Sequence, residues 1–364
     1  MEGVNGKRKV AVACQGGGSH TAFTAGVLKK LLITNQERYE FVAFSGTSGG
    51  AICALLAWYG LLTKGTGRGG RDEAAKLLNH FWRRDIAASS PPESFLNFWT
   101  VQSARWQQHA GLLFEQPPNV FSDLWQGRLK AAIEHNVAFD RLDENLVKPS
   151  SLMLFVGAVD VLNGDFQLFR SHRPKGRDES GPDFLFNDRK DRIRVEAILA
   201  SAAIPPIFGA VHIGKRAYWD GLYSQNPPIR ELPDADPDEI WVIQINPNRM
   251  RPEPGEPRPG DEPKDIAGII DRRNELAGNL SLRQEIGFIE KINELVGERQ
   301  INKFATEDPL SGNRRKYKHI EVRTIENREP LDYATKLDRD PSFIQAMMTR
   351  GERRAEAFMD ELTH

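Results

Sequence analysis

Between residues 9 and 62 the chain twice runs from an apolar, strand-like segment through glycines into a helix-like segment. This repeat restricts the fold more than any other feature. The first unit joins residues 9–14 through Gly16-Gly17-Gly18 to residues 21–33, where Phe23, Val27, Leu28, Leu31 and Leu32 recur at helical spacing. The second joins residues 41–45 through Gly46-Thr47-Ser48-Gly49-Gly50 to residues 51–62. Two strand–helix units in succession predict parallel strands linked by right-handed crossovers. Both strand-to-helix turns then open on one edge of the sheet.

The rest of the chain extends this α/β reading. Gly65, Gly67, Gly69 and Gly70 predict a flexible loop over residues 64–71, followed by a helix over 73–83. Residues 89–121 read as irregular and unusually aromatic, with Phe95, Phe98, Trp99, Trp106, Phe114 and Phe121. A buried strand is expected over 151–161, with its hairpin partner over 164–170. A polar loop spans 174–191, and a short helix over 195–203 stops at Pro205-Pro206. Residues 211–219 read as a hairpin turning near Gly214, and 239–245 as another buried strand. A proline-rich linker follows over 246–263. Residues 265–296 form a long amphipathic pattern through Ile269, Ile270, Leu276, Leu280, Ile286, Ile289, Ile292 and Leu295. The stripe can pack on the core, which would leave Arg272, Arg273 and Glu285 on the solvated face, or it can form an oligomer seam or a membrane-facing surface. A late strand over 316–324 and a terminal helix over 342–362 complete the pattern. The chain contains no internal repeat. It divides into an α/β catalytic core over 1–247 and a mostly helical extension over 248–364.

Charge and composition narrow the function classes. Forty-nine basic residues stand against 50 acidic ones, so no global field favours nucleic acid or an anionic membrane. The two cysteines, Cys14 and Cys53, fall in predicted core elements and read as buried hydrophobes rather than a disulfide framework. No apolar run reaches the roughly 18 residues of a membrane span. The first eight residues lack the apolar core of a secretory signal. A cytoplasmic location is the expectation.

The chemistry concentrates in the glycine turns. A Gly-x-Ser-x-Gly turn between strand and helix lifts a serine hydroxyl above the sheet edge, where it can attack a carbonyl. Ser48 is that serine. The amide of Gly49, at the start of the next helix, is a natural donor to a developing oxyanion. Gly16, Gly17 and Gly18 expose further amides with no side chains in the way. As a nucleotide-binding turn the same loop fails: the third glycine of the dinucleotide fingerprint is Thr21, and no Gly-Lys-Ser/Thr occurs. A base is less evident. His172 lies in a polar loop, His212 in a hairpin and His319 in a late strand, and each reads as structural or exposed. Asp220-Gly221-Leu222, after Ala217-Tyr218-Trp219, puts an aspartate at a strand end. It can reach a neighbouring hydroxyl, or it can serve as an ordinary turn residue.

Four segments together resemble the patatin-like phospholipase family: Gln15-Gly16-Gly17-Gly18-Ser19-His20, Gly46-Thr47-Ser48-Gly49-Gly50, Ala200-Ser201-Ala202-Ala203-Ile204-Pro205 and Asp220-Gly221-Leu222. They lie within residues 9–230 in the family's order and spacing. The resemblance implies a three-layer α/β/α fold around a mostly parallel sheet, a Ser48–Asp220 dyad working without histidine, and Gly16–Gly18 as the oxyanion loop. His20 stands where the family often has arginine, and Leu222 where it has glycine or alanine. The histidine resembles a bacterial branch with an extended C-terminal region.

The expected activity is acyl hydrolysis of lipid esters, with no metal and no cofactor. Competing expectations are a hydrolase or acyltransferase acting on other, short hydroxyacyl esters, and a non-catalytic acyl-binding regulator. The aromatic stretch is a candidate acyl pocket or interfacial lid, implying contact with a membrane surface, against the alternative of plain core packing. Head-group preference and oligomeric state are open at this point.

Overall fold

The structure, a computed structural model, describes residues 6–34, 37–110, 119–142, 147, 152–172, 192–205, 207–246, 266–297, 306–307, 314–315, 317–329, 331 and 333–363, with side chains at 103–110, 119–121 and several positions beyond 265 excepted. The expected polar loop at 174–191 and most of the proline-rich linker lie outside these residues.

The two N-terminal units form as the glycine spacing requires. Strand β1 (Arg8–Cys14) leads to helix α1 (Ala22–Ile33), and β2 (Tyr39–Gly46) leads to α2 (Gly49–Lys64). Next come α3 (Arg68–His80), a π-helical turn (Phe81–Ile86), α4 (Pro91–Ala110) and α5 (Asn119–Asn136). The remaining strands are β3 (Met153–Asp160), β4 (Phe166–Arg170), β5 (Val211–Ile213), β6 (Arg216–Asp220), β7 (Glu239–Gln244), the short pair β8 (Thr306–Glu307) and β9 (Arg314–Arg315), and β10 (Glu321–Glu326). Three helices fall among them: Val195–Ser201, the long helix Ile266–Gly297 and the terminal helix Pro341–Glu361.

Eight strands form the central sheet in the order β10-β7-β1-β2-β3-β6-β5, with β4 also on β3. The run from β10 to β3 is parallel, and β4, β5 and β6 add antiparallel pairings. Continuous burial along β1, β2 and β7 fits a sheet covered on both faces. One layer packs α1, α2 and the terminal helix against Val10, Val12, Phe44, Trp241 and Ile243. The other face carries a smaller cluster of Ala11, Ala13, Phe155, Ile240 and Val242, closed by Leu282 and Ile289 of the long helix. Glu239 is fully buried at the start of β7, where Arg8, Arg323 and the Trp241 indole donate to its carboxylate and tie β1, β7 and β10 together. Cys14 and Cys53 are buried and free. Among the described residues no helix is long and apolar enough to cross a membrane.

The structure corrects several local expectations. Helix α3 begins at Arg68, so only part of the glycine stretch is loop. A Cβ on Gly70 would lie 1.7 Å from the Gly65 carbonyl oxygen, so the glycines serve a close chain approach rather than flexibility. The aromatic stretch is not irregular but includes the twenty-residue helix α4. Phe95, Phe98 and Trp99 are more than half exposed on it, which rules out the core-packing alternative for them. Phe114 lies outside the described residues, as do the side chains of Trp106 and Phe121. Strand β10 runs from Glu321 rather than from residue 316. Glu285 is buried, not solvated. It accepts hydrogen bonds from the amides of Ile229 (2.6 Å) and Arg230 (3.0 Å) and from Gln225 Nε2 (2.9 Å). The long helix buries the polar stripe Glu275, Asn279 and Glu285 and leaves Ile269, Leu276 and Leu280 exposed. The amides of Ile229 and Arg230, which take no backbone partner among the described residues, are satisfied by Glu285, and this turns polar positions inward beside Leu282 and Ile289.

Candidate active site

Ser48 sits between β2 and α2 at φ 56°, ψ −131°, a positive-φ conformation that a non-glycine residue keeps only when its surroundings enforce it. Its amide donates to Ser201 Oγ at 3.0 Å, and that hydroxyl donates to the Gly157 carbonyl at 2.6 Å. Thr47 Oγ1 donates to the Gln225 carbonyl at 2.5 Å. The turn is therefore pinned from both sides, and its serine is projected into open space.

The sheet register brings Asp220 to this serine. Strand β2 pairs with the first half of β3 and ends with Gly46 opposite Val156. Strand β6, running the other way, pairs with the second half of β3 and ends with Asp220 opposite Ala158. Because β4 occupies the other edge of β3 over residues 155–159, β2 and β6 share one edge. Their C-terminal ends therefore meet head to head across Gly157. The Asp220 carboxyl accepts from the Leu222 amide at 2.8 Å. Asp220 is buried, and this burial pushes its pKa up to about 7 against the opposing pull of the Leu222 amide and the nearby Ser48 side chain.

The glycine loop faces the same point. The Gly16 amide already donates to Asn226 Oδ1 at 2.7 Å. The amides of Gly17, Gly18 and Gly49 have no hydrogen-bond partner among the described residues. All four glycines line a cavity of about 650 Å³ together with Ser48 and Asp220. Its apolar walls include Trp82, Ile86, Leu129, Ile204 and Phe208. Helix α4 contributes Glu93, Asn97 and Thr100 to the cavity, while Phe95, Leu96, Phe98 and Trp99 of the same helix face solvent.

The loop is braced by residues far away in sequence. Gln15 Nε2 donates to Asn279 Oδ1 of the long helix at 2.9 Å, and Gln15 Oε1 accepts from the amides of Ile245 and Asn246. His20 Nε2 pairs with Thr335 Oγ1 at 2.8 Å. Gly18, at φ +58°, packs so closely on this segment that a Cβ would lie 2.4 Å from the Lys336 carbonyl oxygen. Lys336, Leu337 and Arg339 complete the cavity wall. Ser201 and Asn226 were visible as members of apolar or proline-containing motifs, without any sign of their partners. Thr335 carried no signal at all. His172 bonds Ser171 Oγ and the Val147 carbonyl, and His212 is exposed on β5, so neither is at the site.

The family model described as patatin-like phospholipase matches residues 12–233. Among solved structures, the chain is similar to VipD from Legionella pneumophila at 11% identity and a TM-score of 0.32, over 94% of this chain and 67% of that one. No curated protein matches the chain.

Proposed function

The chain belongs to the patatin-like phospholipase family, a family of lipid acyl hydrolases, and from that premise we propose that it hydrolyses carboxylic esters of lipids with Ser48 as nucleophile and Asp220 as base. The observation that carries this reading is the convergence of the positive-φ Ser48 turn and the buried Asp220 carboxyl on one cavity that Gly17, Gly18 and Gly49 also line. A carboxylate of ordinary pKa is a poor acceptor for a serine proton, and desolvation makes Asp220 a better one.

In this mechanism Ser48 Oγ attacks the ester carbonyl carbon as its proton passes to Asp220. The tetrahedral oxyanion takes hydrogen bonds from the amides of Gly17, Gly18 and Gly49, the last reinforced by the α2 dipole. Gly16, whose amide is engaged by Asn226, anchors the loop instead. The carbon–oxygen bond to the alcohol then breaks, and Asp220 returns the proton to the departing oxygen. A water molecule attacks the acyl-serine, passing a proton to Asp220, and Ser48 recovers it as the acid leaves. The apolar walls suit an acyl chain. The outward aromatic face of α4 suits contact with a lipid surface, since aromatic side chains are favoured at membrane interfaces.

The test is hydrolysis of a panel of p-nitrophenyl esters and phospholipids by wild type and Ser48→Ala. A loss of about a thousandfold or more in the variant is expected. Wild-type rates in the variant would refute the assignment.

A further inference from the structure

A second cluster of chemistry-bearing side chains lies in the wall of the same cavity, apart from Ser48 and Asp220. His80 ends α3, Asp85 lies in the π-helical turn after it, and His135 is next to last in α5. His80 Nδ1 is 3.2 Å from one oxygen of Asp85, and His135 Nδ1 is 3.3 Å from the other. One nitrogen from each histidine and one carboxylate oxygen all lie within 4.8 Å of one another. Asp85 and His135 line the cavity beside Arg84.

The backbone is built to make this cluster. Residues five apart diverge around an α-helix of 3.6 residues per turn. In a π-helical turn, where amides bond five residues back, they come onto one face. The widened turn over Phe81–Ile86 therefore brings Asp85 under His80. Asn136 Nδ2 holds the Asp85 carboxylate at 2.6 Å, the kind of outer hydrogen bond that orients a ligating carboxylate.

We propose that His80, Asp85 and His135 bind one divalent transition-metal ion of the zinc class. Two imidazoles and a carboxylate are a known zinc donor set, and three protein ligands leave a fourth position open. At ordinary zinc distances, tetrahedral ligand atoms are about 3.4 Å apart. The 3.2 Å between His80 Nδ1 and one Asp85 oxygen already suits this. His135 lies against the other oxygen, and a swing of its ring, whose side chain is 64% accessible, brings its nitrogen onto the same ion. The ion reaches the site from solvent, and its open position is offered to the cavity. The donors lie outside the proposed dyad, so the inference stands independently of the acyl-hydrolase reading.

The experiment is Zn²⁺ titration of the full-length chain after chelator treatment, by calorimetry, with Co²⁺ absorption as a second readout. One equivalent should bind, and Co²⁺ should give visible bands of nitrogen–oxygen coordination. His80→Ala and His135→Ala should each lower affinity on the order of tenfold or more. Ser48→Ala should bind as wild type does. Zn²⁺ should raise the melting temperature of wild type and not of His80→Ala. Binding of less than one equivalent, or equal binding by wild type and both histidine variants, would overturn the site.

Discussion

Ser48 and Asp220 line one cavity, and the pH dependence expected of the proposed pair follows from burial. With the Asp220 pKa raised to about 7, the carboxylate able to accept the Ser48 proton is lost as pH falls below that value. On a soluble ester, kcat/KM should therefore fall about tenfold per pH unit below 7. A profile flat down to pH 5 would contradict the raised value. The same shift affects stability with the opposite sense. A carboxyl whose folded pKa exceeds its unfolded value of 3.8 favours the folded state below pH 3.8, and that contribution is lost as pH rises through about 7. Asp220→Asn should thus be more stable than wild type at pH 8, by about a few kcal/mol at most, and melt higher while losing activity; a lower melting temperature would count against a desolvated carboxylate. The place of Ser48 at a strand-to-helix turn was legible in its glycine spacing. The nearness of Asp220 was legible only through the four-segment resemblance, because by spacing a strand-end aspartate reads equally as a turn residue until β2 and β6 are seen to end on one another.

Helix α4 and the segment of residues 333–339 both line the cavity from outside the two N-terminal units. Helix α4 is reversed relative to a core helix, with Asn97 buried and Phe95, Leu96, Phe98 and Trp99 exposed. Its aromatic composition was legible but its orientation was not, since spacing marks an apolar face without saying what covers it. Phe98→Glu with Trp99→Glu should cut hydrolysis of phospholipid vesicles roughly tenfold or more and leave a monomeric ester unaffected. Equal losses on both substrates would refute a lipid-facing role. Thr335 pairs with His20 and helps hold the glycine loop. Thr335→Val should lower kcat by about three- to tenfold with little change in KM, because a displaced donor weakens the transition state more than the ground state. Thr335→Ser should retain activity, and a change confined to KM would contradict the positioning role.

Across the whole molecule, the family's match ends at residue 233, yet the sheet and the site do not. Strands β7 and β10 extend the parallel edge, the terminal helix buries Ile344, Met347, Met348 and Phe358 on the core, and the long helix braces Gln15 and the loop at 224–230. The parallel α/β core was legible because strand, glycine and helix alternate at short range. The integration of the C-terminal region was not, because it rests on pairings across more than 200 residues, such as Gln15 with Asn279. A chain ended at residue 247 should lose cooperative unfolding and expose apolar surface, read by calorimetry and dye binding. A cooperative, active fragment would show the extension to be dispensable.

Intact-protein mass spectrometry after reaction with a fluorophosphonate shows whether Ser48 is a nucleophile activated by Asp220. One adduct is expected, located on Ser48, absent in Ser48→Ala and formed far more slowly in Asp220→Asn. An adduct on another serine, or none on the folded wild-type protein, would contradict it.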